Sequence, residues 1–394
     1  MYKMKRYILL LVNIWIATAA FAQNDIHYIL KQIEKNNPEI QANQQMMKAQ
    51  TWDTKSSNNL TNPTVSYSHL WDSKDKNETE SELEIAQEFE FPTAYIHRNK
   101  ANKKTINALE ALYETQRQEI LLNAQEVCLD IIMLNQQQEI LRQRLSYANQ
   151  LFEAYDKMLD AGDATSIEVN KIKLERLNLQ TEYTIHLADL NKKRAELVIL
   201  NGNQPIEVNA TEYSNVPLPS YELIHEEIFN TSYALKYAQS EYEAAEKQIA
   251  LNKAGWFPHL EIGYKRNSGT GHHSNGFSVG FSIPLFNNRG KVSSAKAIAI
   301  SKSFSKDLIT NKLSTETYQT YEEAKAMREQ MNIYEGSLDI DNILDLLNKA
   351  LNGGELNITT YFVEVATVYQ GAQNYLLISN LYQKQLAKLY KHRL

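Results

Sequence analysis

Between positions 93 and 161 the chain contains neither glycine nor proline. The stretch is rich in Ala, Leu, Gln, Glu and Lys, which lose little freedom on entering a helix. As one α-helix it would run about 100 Å, at roughly 1.5 Å per residue. An ordinary globular domain has no place for such a rod. Its apolar stripe is thin: Leu145, Ala148, Leu151, Phe152, Tyr155 and Leu159 share one face among many polar positions. That pattern predicts a helix sheathed by neighbours, not one sunk in a core. A second run, 291–352, is interrupted only by Gly336. Glycines at 162, 353 and 354 mark the points where each rod folds back into another helix.

The two rods belong to an internal duplication with a period near 195 residues. Asn36 to Ala49 matches Thr231 to Ala244, and Asn62-Pro63 matches Phe257-Pro258. Phe91-Pro92 matches Ile283-Pro284. Lys157 to Leu197 matches Lys349 to Leu389 without a gap, with Gly162 on Gly354 and Tyr183 on Tyr375. The expected organisation is a first structural repeat at 23–210 and a second at 211–394. Each repeat reads as helix, strand, loop, strand, very long helix, turn, helix.

The strands are expected at about 62–71 and 82–92 in the first repeat, and at about 257–266 and 276–285 in the second. Val65, Tyr67, His69 and Trp71 alternate with Thr64, Ser66 and Ser68. Leu83, Ile85, Phe89 and Phe91 alternate with glutamates, and Gln87 is the exception on the apolar side. Leu260, Ile262 and Tyr264, then Phe277, Val279, Phe281 and Ile283, repeat the pattern. Period two is the strand signal, and about ten residues is the length of a tilted membrane-crossing strand. The polar segments 72–81 and 267–276 read as loops.

The N-terminus reads as an export signal at 1–22. Lys3, Lys5 and Arg6 precede an apolar run at 7–19 and an Ala20-Phe21-Ala22 cleavage site, so the mature chain is expected to begin at Gln23. Gln23 offers no cysteine for a lipid anchor. Losing the three basic residues takes the net charge from −6 to −9, which argues against binding nucleic acid. The single cysteine, Cys128, excludes an intrachain disulfide and reads as a packed thiol. No later apolar run reaches the roughly 18–20 residues of a membrane helix, but an exported chain can still enter an outer membrane as a β-barrel.

The order helix–strand–strand–long helix–turn–helix, doubled, resembles the TolC outer-membrane efflux family. The residues carrying the resemblance are Asn37-Pro38-Glu39-Ile40, the strand starts at Pro63 and Pro258, the strand ends Phe91-Pro92 and Ile283-Pro284, and the turns Ala161-Gly162-Asp163 and Gly353-Gly354-Glu355. Glu-Phe-Glu-Phe-Pro-Thr at 88–93 looks most like the compact branch serving cation and heavy-metal exporters. The implied fold is mainly α with membrane β: a trimer whose twelve strands form an outer-membrane barrel continued by a periplasmic α-helical tunnel. The implied function is a passive exit duct of a tripartite efflux, or type I secretion-like, system. Its partners would be a homotrimer, a periplasmic adaptor, an inner-membrane pump and outer-membrane lipid. Four strands cannot close a barrel, since the smallest single-chain barrels have eight. Open edges in lipid would cost several kcal/mol per unsatisfied group.

The resemblance also points to site residues. The tips at 159–170 and 351–365 would form the gate and meet the adaptor, with Gly162, Asp163, Gly354 and Glu355 at the turns. Glu168 resembles a family acid that bonds across the closed gate. Aspartates are common just after the second turn, but Thr360 and Val363 stand at those positions here, and Glu364 is the nearest acid. Trp71, Tyr67, Tyr264 and Phe286 suit an interfacial aromatic girdle.

No enzyme, cofactor or metal site is expected. The chain lacks G-x-S-x-G and H-E-x-x-H motifs. Gly269-x-Gly271 reads as a turn, His259, His272 and His273 as solvated residues, and the eight methionines form no cluster. The competing expectation is a soluble periplasmic coiled-coil scaffold or adaptor.

Overall fold

The structure, a computed structural model, describes residues 26–71, 79–214, 216–269, 271–337 and 339–394. The expected signal at 1–22, the start at Gln23 and most of the expected loop after Trp71 lie outside them. Helices α1 (Ile26–Asn36) and α2 (Pro38–Ser56) precede strands β1 (Thr64–Trp71) and β2 (Thr79–Phe89). Helices α3 (Pro92–Ala161) and α4 (Ser166–Leu200) follow. The order then recurs: α5 (Tyr221–Thr231), α6 (Tyr233–Ala254), β3 (His259–Gly269), β4 (His272–Ser282), α7 (Lys291–Ser337), α8 (Ile340–Asn352) and α9 (Ile358–Leu389). A short 3-10 turn, Lys391–Arg393, closes the chain.

The glycine- and proline-free stretch, with Pro92 ahead of it at the first helical position, forms one helix of 70 residues, α3. The second rod differs from expectation in one respect. Gly336 stays inside α7, and the helix restarts beyond Leu338, where the Asp339 side chain accepts a 3.2 Å bond from the Asn342 amide. A helical glycine costs only about 1 kcal/mol, so it need not break a rod.

The chain forms two compact units. One gathers residues up to Ala42, Gln116–Thr231 and Ser314–Leu394; the other gathers Asn43–Thr115 and Ser232–Leu313. The second unit holds an antiparallel sheet in the order β1-β2-β3-β4. At the hairpin ends the strands run further than the sequence reading. β2 begins at Thr79, β3 runs on to Gly269, and β4 starts at His272. The polar segment 267–276 is therefore mostly strand: Asn267 pairs with Ser274, Ser268 with His273 and Gly269 with His272. Polar composition marked solvent exposure, but the backbone ladder continues wherever a partner strand is present. At the other end the strands stop before Phe91 and Ile283, short of the following prolines.

In the first unit, Ile29, Ile33, Ile131, Ile132, Leu190, Leu197, Ile224 and Leu386 are buried. Cys128 is buried among them, and burial pushes its thiol up to about 12, which makes it inert rather than reactive. Asn135 fixes the connector after α4 by donating to the carbonyls of Val208 (3.1 Å) and Ala210 (3.0 Å). Asn37 explains the break between α1 and α2. Its Oδ1 accepts from the Glu39 (2.9 Å) and Ile40 (3.0 Å) amides, and Pro38 needs no amide partner at the first helical position.

Helix α4 ends in a left-handed turn at Gly202, φ +65°, with the Gly202 amide on Ile199 and the Asn203 amide on Val198. A Cβ there would collide with the backbone carbonyl of Asn36. Gly162 has φ +84° but open space around it. Gly202→Ala is therefore expected to cost about 1–3 kcal/mol plus the steric clash, and Gly162→Ala only the conformational part. Thermal unfolding of the two variants checks this: Gly202→Ala should melt well below Gly162→Ala.

Candidate functional site

The sheet is amphipathic, and the register shows how. Residues paired across neighbouring strands point to the same face, and successive residues alternate. One face stacks Phe89, Leu260 and Phe281; then Gln87, Ile262 and Val279; then Val65, Ile85, Tyr264 and Phe277. Phe277 is 86% exposed, and Val65, Tyr67, Val279, Phe281 and Ile283 are exposed as well. Tyr264 meets Phe277 edge-on, with ring centroids 5.9 Å apart. Gln87 breaks the apolar pattern for a local reason. Its Nε2 donates to the carbonyls of Thr61 (2.8 Å) and Glu88 (2.9 Å), tying down the start of β1.

The opposite face carries Glu80, Glu82, Glu84, Glu88 and Glu261. Lys265 reaches Glu84 at 2.9 Å and Glu82 at 3.6 Å, and His259 meets Glu88 at 2.8 Å. Gly263 on this face admits no side chain, because a Cβ would lie 2.6 Å from the Ser278 hydroxyl and 3.1 Å from the Ile85 carbonyl. Strands β1 and β4 form the two edges, and each pairs on one side only.

The helix-turn tips lie in the other unit. Helix α3 ends on Gly162, with the Gly162 amide on Leu159 (3.1 Å) and the Asp163 amide on Met158 (2.8 Å). Helix α8 ends on Gly354, φ +73°, with its amide on Leu351 (3.1 Å) and the Glu355 amide on Ala350 (2.9 Å). Both are left-handed caps that satisfy orphan carbonyls. Each next helix then starts on a side-chain cap. Asn357 accepts from the Thr360 amide at 2.9 Å and from its hydroxyl at 3.2 Å.

At the equivalent place, Thr165 and Glu168 form a capping box. The Thr165 amide (2.8 Å) and hydroxyl (2.7 Å) both donate to Glu168 Oε2. Those bonds hold the Glu168 carboxyl below its ordinary range, the backbone bond most of all. The box therefore adds stability above the ordinary carboxylate pKa and loses it as pH falls through the lowered value. Glu168→Ala is expected to speed amide exchange at the start of α4 at neutral pH. The gap from the native protein should close in acid. An equal gap at all pH values would contradict the capping role.

Beneath the tips, Leu151, Ile172, Leu351, Ile358 and Tyr361 form a buried cluster flanked by Tyr147, Phe152, Tyr155 and Val365. Tyr361 is 2% exposed, donates its hydroxyl to Asn348 Oδ1 at 2.8 Å, and is pushed to a raised pKa by burial. Arg144 stacks 4.6 Å over the Tyr369 ring and reaches Glu182 at 3.3 Å. Lys171 joins the two tips through the Thr359 hydroxyl at 2.5 Å. The sequence reading missed Tyr361 and Arg144. The Tyr361-Phe362 pair beside the second turn was the available signal.

Asp163, Glu355 and Glu364 are exposed, and Thr360 half-buried. Gly162 and Gly354 shape the turns, and Glu168 is bound to its own helix start. The histidines are dispersed: His273 bonds Ser268 at 2.7 Å and His272 the Gly271 carbonyl at 2.6 Å. Among the described residues no group of three or more His, Cys, Asp or Glu is placed to hold a metal ion.

No family model matches the sequence, and no curated protein matches it. Solved structures do match. A membrane protein from Pseudomonas aeruginosa superposes with TM-score 0.78 at 15% identity, over 93% of this chain and 89% of that one. CusC, described for its folding and transmembrane channel formation, gives TM-score 0.75 at 15% identity over 94% and 92%. The CmeC outer membrane channel of Campylobacter jejuni gives 0.76 at 14% identity over 93% and 85%. The chain has the TolC-like fold that these membrane proteins share.

Proposed function

We propose that the chain is one subunit of an outer-membrane efflux channel, a passive duct without bond chemistry. One observation carries the reading: a four-stranded sheet with an exposed apolar face, an acidic opposite face and two open edges. In water such a face would be a large apolar patch and the edges would be sticky. In a shared barrel both problems vanish. The apolar face meets lipid, the acidic face lines the lumen, and β4 of one copy pairs with β1 of the next. Three copies supply twelve strands, an even number, and this is the trimer that the resemblance to the TolC family implies.

In this reading the helices form a tunnel in the periplasm. The tips around Gly162, Asp163, Gly354 and Glu355 meet a periplasmic adaptor, and an inner-membrane pump drives substrate inward. Glu168, Thr360 and Glu364 lie at the gate, which opens when partner contacts shift the tip helices toward an open population. Glutamates on the lumenal face favour cationic cargo.

Membrane fractionation followed by unheated and heated gels tests the proposal. A barrel oligomer stays with outer membranes after carbonate washing and changes mobility on boiling. A protein released by carbonate as a monomer would be the soluble scaffold instead.

A further inference from the structure

Resting on the channel reading, we infer that the apolar face of the sheet ends in a basic band, centred on Arg266, that holds anionic lipid headgroups. The strand register carries this. Along the apolar face, rows two residues apart are spaced about 6.8 Å. Three rows, from Phe89–Leu260–Phe281 to Val65–Ile85–Tyr264–Phe277, are apolar but for Gln87. The next row is Tyr67–Leu83–Arg266–Asn275, and the one beyond is His69–Ser81–Ser268–His273. Polarity therefore changes within one step, on the side that faces lipid.

Arg266 is exposed and takes part in none of the ion pairs found among the described residues. Its neighbour Lys265, on the opposite face, is held by two glutamates. The glutamates of the sheet all share Lys265's face, so Arg266 has no acid in its own row or the next. At the other end of the apolar face, Phe91 stacks on Phe257 at 4.6 Å, and Ile283 is exposed, with no basic residue between them. Among the described strand residues of this face Arg266 is the only lysine or arginine. A planar guanidinium offers paired donors to a phosphate, with Asn275 and the two imidazoles as further polar groups. Tyr67 and Trp71 flank the band on β1, where amphipathic rings suit the level of the headgroups. The occupant is the phosphate of an anionic lipid in the leaflet meeting this end of the barrel.

The test is spin-label lipid selectivity of the full-length protein in phosphatidylcholine bilayers, comparing labelled phosphatidylglycerol with labelled phosphatidylcholine. Native protein should prefer the anionic lipid by roughly fivefold per site, the gain from one basic side chain at an anionic surface. Arg266→Gln should bring the preference close to parity. Lys265→Gln, on the same strand but the lumenal face, should keep it. Native protein without the preference, or Arg266→Gln retaining it in full, overturns the inference while leaving the channel reading intact. Loss of the preference in inorganic phosphate at constant ionic strength would also overturn it, because the site would then take free anion. Failure of the native protein to enter bilayers at all sinks both.

Discussion

Val279→Arg is expected to remove the protein from the outer membrane. Val279 sits on β4 in the middle of the apolar rows, opposite Ile262, and is exposed. An arginine facing lipid near the bilayer midplane costs roughly 2–4 kcal/mol, and the penalty recurs in every copy that shares the barrel. The comparison variant is Glu261→Arg. Glu261 lies one position along β3 from Ile262, on the acidic face beside Glu88. A new arginine there meets water and stands opposite Glu88 in the register. Val279→Arg should therefore yield little heat-modifiable oligomer and little carbonate-resistant protein, and Glu261→Arg should behave as native. Equal recovery of both variants from outer membranes would show that the apolar face does not meet lipid.

That contrast depends on a register the sequence showed only in part. The period-two pattern separated the two faces of each strand, because alternation survives in a strand whose sides meet different solvents. It did not reveal that β2 pairs with β3. Glu88 lies opposite Glu261, and Ile85 opposite Tyr264, through contacts more than 170 positions apart. Nor did it place the hairpin ends, since Ser268 and His273 look like loop residues until their backbones are seen to pair. The long rod was legible from its lack of glycine and proline, a negative signal that tertiary context rarely overrides.

The tips were legible as turns but not as machinery. Glycines 162 and 354 marked the reversals, but their left-handed conformation and the Thr165–Glu168 capping box emerged only with the backbone in place. What closes the tips on one another is Tyr361, whose importance lies in burial by residues from α3, α4 and α8. No local pattern reports such burial. Thr360 and Val363, conspicuous as substitutes for the expected acids, drew attention one and two positions from the residue that fills the core.

Tyr361→Ala is accordingly expected to loosen the tips more than any change at the acidic positions. Replacing a fully buried aromatic residue by alanine costs about 3–5 kcal/mol when neighbours cannot collapse into the space. Here Tyr361 already walls a cavity of about 200 Å3 with Tyr147, Leu179, Leu344 and Val365, so the void grows instead of closing. Arg144 borders the same space, and a polar, enlarged cavity takes up water. Tyr361→Phe keeps the ring and loses only the bond to Asn348, at about 1 kcal/mol. Amide exchange across 345–365 should rise strongly in the alanine variant and slightly in the phenylalanine variant. In planar bilayers the alanine variant should show higher basal conductance, because tips freed from their shared core open without a partner. Native-like exchange in Tyr361→Ala would mean that the turns and caps hold the tips alone. Raised exchange with unchanged conductance would instead separate the cluster from the gate.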